Sequence, residues 1–223
     1  MSAEKPVIGL LGIGEMGANV GRELVRAGFQ VNCVLNGRSQ ESIERAKNAG
    51  LCGLPDLAGL VAASDILFSI LPPATAEQEA ALVAECLGVR PKALTFVEAN
   101  AISPQLTEKI AGRFAKTQAV FVDGGIVGSP PGGGRKPRLY LSGSHLKLVE
   151  EVGRAAFDIV ALGSRIGAAS GFKMIYASQT KGGNALLTAG LLAAERMGLL
   201  EAYVAELATS QPALLKRAEI AVP

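Results

Sequence analysis

The 223-residue sequence contains no tryptophan, one histidine and three cysteines, and these scarcities exclude several kinds of protein. With His145 as the only histidine and no Cys-x-x-Cys pair, the sequence offers no motif for a metal site. The cysteines, Cys33, Cys52 and Cys86, are odd in number and lie in or beside apolar segments. We therefore expect reduced core thiols in a cytosolic protein and not a disulfide framework.

A strong charge of one sign and a long hydrophobic run are also missing. The 22 basic and 20 acidic residues leave a net charge of +2, which gives no basis for binding nucleic acid or a membrane surface. Glu4 and Lys5 stand near the start without an apolar segment, so we do not expect a secretion signal. The longest uncharged helical run, residues 182–194, is shorter than the roughly 20 residues that span a bilayer, and we predict a buried helix there.

Glycine, by contrast, is abundant, with 27 residues, and three glycines form a motif. Residues 7–11 are an apolar run typical of a buried parallel strand, and glycines follow it at G-x-G-x-x-G spacing. The first glycine permits a tight turn, the second lets a pyrophosphate approach the backbone, and the third allows close helix–strand packing. An amphipathic helix follows, whose N-terminal amides favour phosphate. The segment predicts a dinucleotide-binding turn, with a purely structural glycine turn as the alternative: Gly12, Ile13, Gly14, Glu15, Met16 and Gly17.

Strand and helix patterns alternate from residue 7 to residue 162, which predicts a doubly wound, mostly parallel sheet with helices on both faces. The predicted strands are residues 7–11, 30–35, 65–71, 93–97, 120–122, 138–142 and 158–162. Helices are predicted after the glycine motif and at residues 40–48, 57–63, 75–87, 104–116 and 146–154. A glycine-rich stretch, residues 163–171, interrupts this pattern, and the sequence beyond it is helical to about Thr209. We therefore predict a nucleotide-binding domain, residues 1–167, and a helical domain, residues 168–223.

The residues after the second predicted strand bear on the choice of nucleotide. NAD-binding proteins usually place an acidic residue here, about 20 residues beyond the glycines. This sequence has Asn36, Gly37, Arg38 and Ser39, so no carboxylate repels a 2′-phosphate, while Arg38 offers a guanidinium and Ser39 a hydroxyl. We predict NADP(H) in preference to NAD(H). Ser39 also suits the N-cap of the next helix, and the two roles are compatible.

Two further strand ends are expected to face the cofactor, because ligands of open parallel sheets bind at the carboxyl ends of the strands. One carries Leu71, Pro72 and Pro73, a stiff loop suited to van der Waals contact with a ribose or adenine. The other carries Glu98 and Asn100, which we place just past an apolar strand. The serine and proline that follow at residues 103 and 104 are interpreted as an ordinary helix start.

A lysine, Lys173, lies at the start of the apolar helix that opens the second domain. If Ser170 or Gly171 caps this helix, Lys173 is in the first turn, where the helix dipole favours a neutral amine over an ammonium. At 100° per residue, Lys173, Thr180 and Asn184 fall within about 40° of one another and form a polar stripe. From this helix alone, the preferred interpretation is a structural lysine whose stem packs and whose head reaches water.

Four motifs change that preference: Gly12-Ile13-Gly14-Glu15-Met16-Gly17, Ile70-Leu71-Pro72-Pro73, Asp123-Gly124-Gly125-Ile126-Val127-Gly128 and Gly171-Phe172-Lys173-Met174. In this order they resemble the β-hydroxyacid dehydrogenase superfamily, which includes 6-phosphogluconate and 3-hydroxyisobutyrate dehydrogenases. The resemblance covers the whole chain and implies a Rossmann domain joined to an all-helical domain. It also implies that Lys173 takes the proton of a substrate hydroxyl as hydride leaves for the nicotinamide. The Asp123 loop, with Gly124 and Gly125, would bind the substrate carboxylate through backbone amides near Gly128 and Ser129.

The sequence departs from the superfamily pattern at three places. The asparagine usually found one turn after the lysine is Ala177, the serine of the substrate loop is Val127, and the usual Ser-Thr after the strand predicted at residues 93–97 is Asn100-Ala101. These changes are typical of a divergent branch. Because relatives in the superfamily continue well beyond the long helix, we also expect a helical domain that is incomplete relative to the family, either truncated or minimal. Substrate contacts there are expected from Thr180, Lys181 or Asn184.

Two functions follow as hypotheses. The first is an NADP-dependent oxidoreductase that acts on a small hydroxy acid, or a related amino or keto compound, with Lys173 as general acid and base. The second is a non-catalytic NADP-binding or sensing protein. Imine reductases resemble this superfamily but generally lack the lysine, so Lys173 favours alcohol oxidation. The uncharged run at residues 182–194 predicts a homodimer formed through the helical domain.

Overall fold

The computed structural model describes residues 5–89 and 93–221. The strands are β1 (Ile8–Leu11), β2 (Val31–Val34), β3 (Cys52–Leu54), β4 (Ile66–Ser69), β5 (Thr95–Glu98), β6 (Val120–Val127), β7 (Arg138–Ser142) and β8 (Asp158–Ala161). The α-helices are α1 (Glu15–Arg26), α2 (Gln40–Ala49), α3 (Leu57–Ala63), α4 (Ala76–Cys86), α5 (Pro104–Phe114), α6 (Lys147–Gly153), α7 (Ala168–Ala177), α8 (Gly183–Arg196), α9 (Leu200–Ser210) and α10 (Pro212–Ala221). Short 3₁₀ turns cover Pro73–Thr75 and Leu87–Val89, and a π-helical turn covers Ser178–Gly182.

The strands of the described residues form one sheet in the order β3-β2-β1-β4-β5-β6-β7-β8. Neighbouring strands are parallel except β6 and β7, which are antiparallel. The chain winds outward from β1 to β3 and then returns to place β4 on the other side of β1. That reversal is the switch point at which open α/β sheets bind ligands. The structure confirms the predicted Rossmann-type, mostly parallel sheet followed by helices.

Two clusters of buried apolar side chains hold helices against the sheet. Leu10 belongs to one cluster and Leu11 to the other, as the alternation of side chains along a strand requires. In the second cluster the rings of Phe96 and Phe114 stack at 4.7 Å and join β5 to α5. The expectation of three core thiols is wrong for Cys52, which is exposed.

Two compact units divide the chain, one ending at Lys173 and the other starting at Met174. The first contains the sheet, α1 to α6 and the first part of α7, and the second contains the remaining helices. The division lies within α7 and not in the glycine-rich stretch before it. The division into a nucleotide-binding part, residues 1–167, and a substrate-binding part, residues 168–223, stays a prediction.

The helix predicted to be buried, now α8, is largely exposed within this chain. Leu186 and Leu192 are 77% and 48% exposed, and among the helix residues Leu187 and Ala194 are the buried ones. The prediction of a buried helix is therefore wrong for the single chain. Within the described ranges, no helix is both long and apolar enough to cross a membrane.

Candidate functional site

In the turn after β1, each of the three glycine positions has a different structural environment. Gly12 has φ +90°, and a Cβ atom there would lie 2.1 Å from the carbonyl oxygen of Ile70. A Cβ atom at Gly17 would lie 2.1 Å from the carbonyl oxygen of Gly12, so this glycine lets α1 pack against the turn. Gly14 is different, because no atom lies within 4 Å of its Cβ position. The turn is therefore tight on the protein side and open above Gly14.

The start of α1 faces this open space. The N-cap is Gly14, so no side chain caps the first amides of the helix. Gly14 and Glu15 are exposed and Met16 is half-buried, whereas Ile13 is buried and offers only its backbone to a ligand. Uncapped amides at a helix N-terminus, together with the helix dipole, form an anion site. These residues fit the pyrophosphate of a dinucleotide.

The turn after β2, residues 36–39, is exposed throughout. The backbone N–H of Arg38 donates to the carbonyl oxygen of Leu35 at 3.1 Å. Ser39 caps α2, since its Oγ accepts a hydrogen bond from the Ser42 N–H at 3.3 Å, and the helix-cap interpretation of Ser39 is confirmed. No carboxylate within the described residues forms an ion pair with Arg38. The guanidinium is thus placed in solvent beside the end of β2.

The turn after β4 is held by a side chain from the next strand end. Pro72 and Pro73 are exposed and Leu71 is half-buried. The Leu71 N–H donates to Asn100 Oδ1, and Asn100 Nδ2 donates to Ser69 Oγ at 2.9 Å. Asn100 is only 2% exposed. Its side chain therefore fixes the Leu71 loop to the end of β5, a role that the sequence did not suggest.

Glu98 is the last residue of β5 and not a residue beyond it, and its side chain is fully buried. Its Oε1 accepts a hydrogen bond from the Asn100 N–H at 3.0 Å, while Oε2 has no hydrogen-bond partner among the described residues. Burial raises the pKa of Glu98 to about 7, and the Asp123 carboxylate adds to the rise. Hydrogen bonds from Asn100 and the charge of Lys173 act against it. The prediction of an accessible polar group past the strand is corrected accordingly.

A row of buried polar residues crosses the sheet at this level. The strand register pairs Ser69 with Glu98, Glu98 with Asp123, and Asp123 with Ser142. Residues paired in register point to the same face of a sheet, so the four side chains lie on one face. Sequence reasoning missed Ser69 and Ser142. The available signal was a polar residue that directly follows an apolar run, as Ser69, Glu98 and Asp123 do.

Asp123 caps the helix that carries the candidate catalytic lysine. Its Oδ2 accepts a hydrogen bond from the Ala169 N–H at 3.0 Å and from Ser142 Oγ at 2.9 Å. The Ser170 N–H donates to Oδ1 at 3.2 Å, and Ser170 Oγ also donates to Oδ1. The predicted cap from within the helix is therefore wrong, because a strand residue supplies it. Since α7 begins at Ala168, Lys173 lies in the second turn and not in the first.

The predicted loop at Asp123 is also wrong, because β6 continues to Val127 and includes Gly124 and Gly125 as buried strand residues. A Cβ atom at Gly125 would lie 2.7 Å from the carbonyl oxygen of Ala169 and 3.2 Å from Cβ of Lys173. The missing side chain thus lets α7 cross close over β6. A glycine inside a strand is the sequence signal for such an approach.

The loop itself starts after β6. Gly128 has φ +125° and is exposed together with Ser129. The backbone amides predicted to meet a substrate carboxylate are therefore in an accessible turn, whereas Asp123 is inside the protein. On the neighbouring strand, Tyr140 pairs in register with Gly125, and its ring lies 4.0 Å from the ring of Phe172. This ring contact packs α7 against β7 at the residue that precedes Lys173. Lys173 itself is half-buried.

The predicted polar stripe assumed one continuous α-helix, and that assumption is wrong. The chain changes to a π-helical turn at Ser178–Gly182 before α8 begins. A π-turn closes i→i+5 hydrogen bonds and holds one residue more than an α-turn, so the 100° spacing does not continue to Asn184. Thr180 and Asn184 are half-buried in the second unit. Their contact with a substrate stays a prediction.

Metal chemistry has no visible site in the part of the chain that the structure describes, where no three His, Cys, Asp or Glu residues are grouped to hold an ion. The first unit instead contains an anion-binding turn after β1, an exposed arginine after β2 and a lysine on a helix that lies over β6. The turn after β1 and the arginine after β2 fit a dinucleotide. The lysine supplies an amine that can accept or donate a proton.

Comparison with known proteins addresses the same residues. Residues 7–178 match the family model described as the NAD binding domain of 6-phosphogluconate dehydrogenase. An uncharacterized 28.5 kDa protein of Methanothermus fervidus, named for its place in a 7S RNA 5′ region, is 30% identical over 197 residues, which are 87% of this chain and 73% of the relative.

Solved structures show the same fold. A conserved protein of unknown function, whose structure is described as similar to 3-hydroxyacid dehydrogenases, is 27% identical with a TM-score of 0.76, over 95% of this chain and 81% of its own. An imine reductase from Myxococcus stipitatus in complex with NADP+ is 22% identical with a TM-score of 0.75, over 93% of this chain and 73% of its own.

Proposed function

The chain belongs to the family of the NAD binding domain of 6-phosphogluconate dehydrogenase, and from this premise we propose that it is an NADP-dependent oxidoreductase with Lys173 as general acid and base. The proposed substrate is a small β-hydroxy acid, and the reaction transfers a hydride between its carbinol carbon and the nicotinamide. One observation carries the proposal. Lys173 lies on α7, whose first amides Asp123 binds and which packs closely over Gly125. Lys173 and the glycine turn belong to the same compact unit.

The choice of NADP rests on the turn after β2. The amides at Gly14 and Glu15 would hold the pyrophosphate, and the exposed guanidinium of Arg38 would pair with a 2′-phosphate through two parallel hydrogen bonds. No acidic residue at positions 36–39 repels that phosphate. The imine reductase of the same fold was solved with NADP+, which is compatible with this choice.

Lys173 has the chemistry that alcohol oxidation requires from the protein. Its amine would take the proton of the substrate hydroxyl, and its ammonium would return that proton in the reverse direction. The nicotinamide, when bound, supplies or accepts the hydride. The accessible amides at Gly128 and Ser129 would bind the substrate carboxylate, with Thr180 and Asn184 as further proposed contacts.

A panel of small hydroxy acids tests the proposal, with NADP+ and NAD+ as alternative acceptors and NADPH fluorescence as the signal. Lys173→Met is expected to lower kcat by at least about 100-fold while NADPH affinity is unchanged. Arg38→Ala is expected to weaken NADP+ binding about tenfold and to leave NAD+ binding unchanged. Unchanged turnover in Lys173→Met contradicts the proposed acid and base role. NADPH binding without turnover of any panel member favours the non-catalytic alternative.

The exposed apolar side chains of the second unit support a homodimer. Leu186 is 77% exposed, Met197 70%, Leu199 51% and Leu192 48%, and exposed apolar side chains of this size are typical of surfaces that another chain covers. We propose that a second copy of this chain covers them. Sedimentation at micromolar concentration is expected to show a dimer, and a monomer there contradicts the proposal.

A further inference from the structure

We propose that Glu98 is a positioning residue whose buried carboxylate, through its negative charge, stabilises the ammonium form of Lys173. The consequence for hydride transfer rests on the proposed function, but the proton coupling itself does not.

The first support is the direction of the two side chains. Glu98 pairs in register with Asp123, so both side chains point to the same face of the sheet. Asp123 binds the first amides of α7, which identifies that face as the one that α7 covers. Gly125 lies two residues after Asp123 on the same face, and its Cβ position is 3.2 Å from Cβ of Lys173. The lysine side chain thus leaves α7 over β6, the strand next to Glu98.

The second support is the state of the Glu98 carboxyl. One oxygen accepts the Asn100 N–H, and the other, Oε2, is buried and has no hydrogen-bond partner within the described residues. A buried carboxylate oxygen without a donor is unfavourable unless a proton or a cation reaches it. The charged groups that act on Glu98 are the Asp123 carboxylate from β6 and the Lys173 ammonium from α7. Of these two groups, Lys173 is the one that favours the ionised form of Glu98.

The third support is the linkage between the two titrations. A proton bound by Glu98 removes the negative charge that favours the Lys173 ammonium, so the protonation of one group depends on that of the other. Burial places the pKa of Glu98 near 7, so both forms of the carboxyl are populated at neutral pH. In the proposed oxidation, an ionised Glu98 stabilises the ammonium that forms when Lys173 accepts the substrate proton.

Competitive acetylation of lysines, read by mass spectrometry as a function of pH, measures the proton affinity of Lys173 without nucleotide or substrate. Glu98→Gln keeps the volume and the oxygen that faces Asn100, and is expected to lower the pKa of Lys173 by about 1. Glu44→Gln, an exposed glutamate on α2, is the matched control and is expected to leave Lys173 unchanged. An unchanged Lys173 in a folded Glu98→Gln variant overturns the proposal.

The reciprocal measurement does not depend on that variant. Carbon NMR of the Glu98 carboxyl is expected to show a higher pKa in Lys173→Met than in the unmodified chain, because the favourable positive charge is lost. An identical titration in both proteins overturns the proposal. Coupled titrations without turnover contradict the proposed function alone, and turnover without coupling contradicts this inference alone.

Discussion

Replacing Glu98 with glutamine is expected to make stability less sensitive to pH. The Glu98 side chain is fully buried, and burial raises its pKa from 4.5 to about 7. Because the folded protein holds this proton more tightly than the unfolded chain, the carboxyl contributes stability that is complete below pH 4.5. That contribution is lost as the pH rises through about 7. At about 1.4 kcal/mol for each pKa unit, the loss is about 3 kcal/mol.

Urea unfolding followed by circular dichroism measures this effect in both proteins between about pH 4 and pH 8.5. Relative to the unmodified chain, the free energy of unfolding of Glu98→Gln is expected to rise by about 3 kcal/mol across this range. Any constant effect of the amide cancels in that comparison. Parallel pH dependence of the two proteins refutes the reasoning.

Glu77→Gln is a control with the opposite sign. Hydrogen bonds from Lys109 and Arg113 lower the pKa of Glu77, so its contribution is present at neutral pH and is lost as the pH falls through the lowered value. Its replacement is therefore expected to destabilise the protein more at neutral than at acidic pH. If both glutamates gave the same sign, burial would not be the cause of the Glu98 effect.

Three further predictions concern the glycine turn and the β6 contacts. Gly14→Ala is expected to leave the urea midpoint unchanged and to weaken NADPH binding at least tenfold. Gly17→Ala is expected to lower the free energy of unfolding by about 2 kcal/mol or more, because its Cβ would lie 2.1 Å from a backbone oxygen. Asp123→Ala is expected to cost about 3 kcal/mol in urea unfolding, because the Ala169 N–H and its neighbours lose a buried acceptor, and a cost under about 1 kcal/mol contradicts that role. Gly125→Ala is expected to lower kcat with unchanged NADPH affinity, since its Cβ would lie 2.7 Å from the Ala169 carbonyl oxygen and displace the lysine helix, and an unchanged kcat contradicts this.

Local patterns explain which parts of the fold could be predicted from the sequence. Helix α3 and strand β7 have the predicted bounds, because an N-capping Asp56 and an apolar alternation mark them without help from the rest of the chain. Strand β3 was missed, since three residues at a sheet edge, of which two are exposed, carry no apolar run. Its position depends on pairing with β2, which a local pattern does not contain.

Long-range contacts explain the errors at the site. The glycine turn could be recognised because all its residues lie within one strand–turn–helix segment. The acceptor of the Ala169 N–H is 46 residues away in sequence, so no local rule identifies Asp123 as the cap of α7. The sequence Asp-Gly-Gly is typical of a turn, yet it continues β6, because α7 satisfies the carboxylate and fills the space above the glycines. Glu98 was misplaced for the same reason, since nothing local shows that β5 includes it.

Asp123 and Gly125, the two β6 residues that were predicted to lie in a loop, together position α7. Asp123 and Gly125 are two positions apart and so lie on the same face, where one binds the first amides of α7 and the other leaves room for the helix to approach. The position of Lys173 is therefore set by a strand of the sheet and not by a cap within its own helix. The glycine turn lies on the same sheet but at β1, which two strands, β4 and β5, separate from β6. Substitutions in β6 should consequently change the chemistry before they change nucleotide binding, and substitutions in the β1 turn should do the reverse.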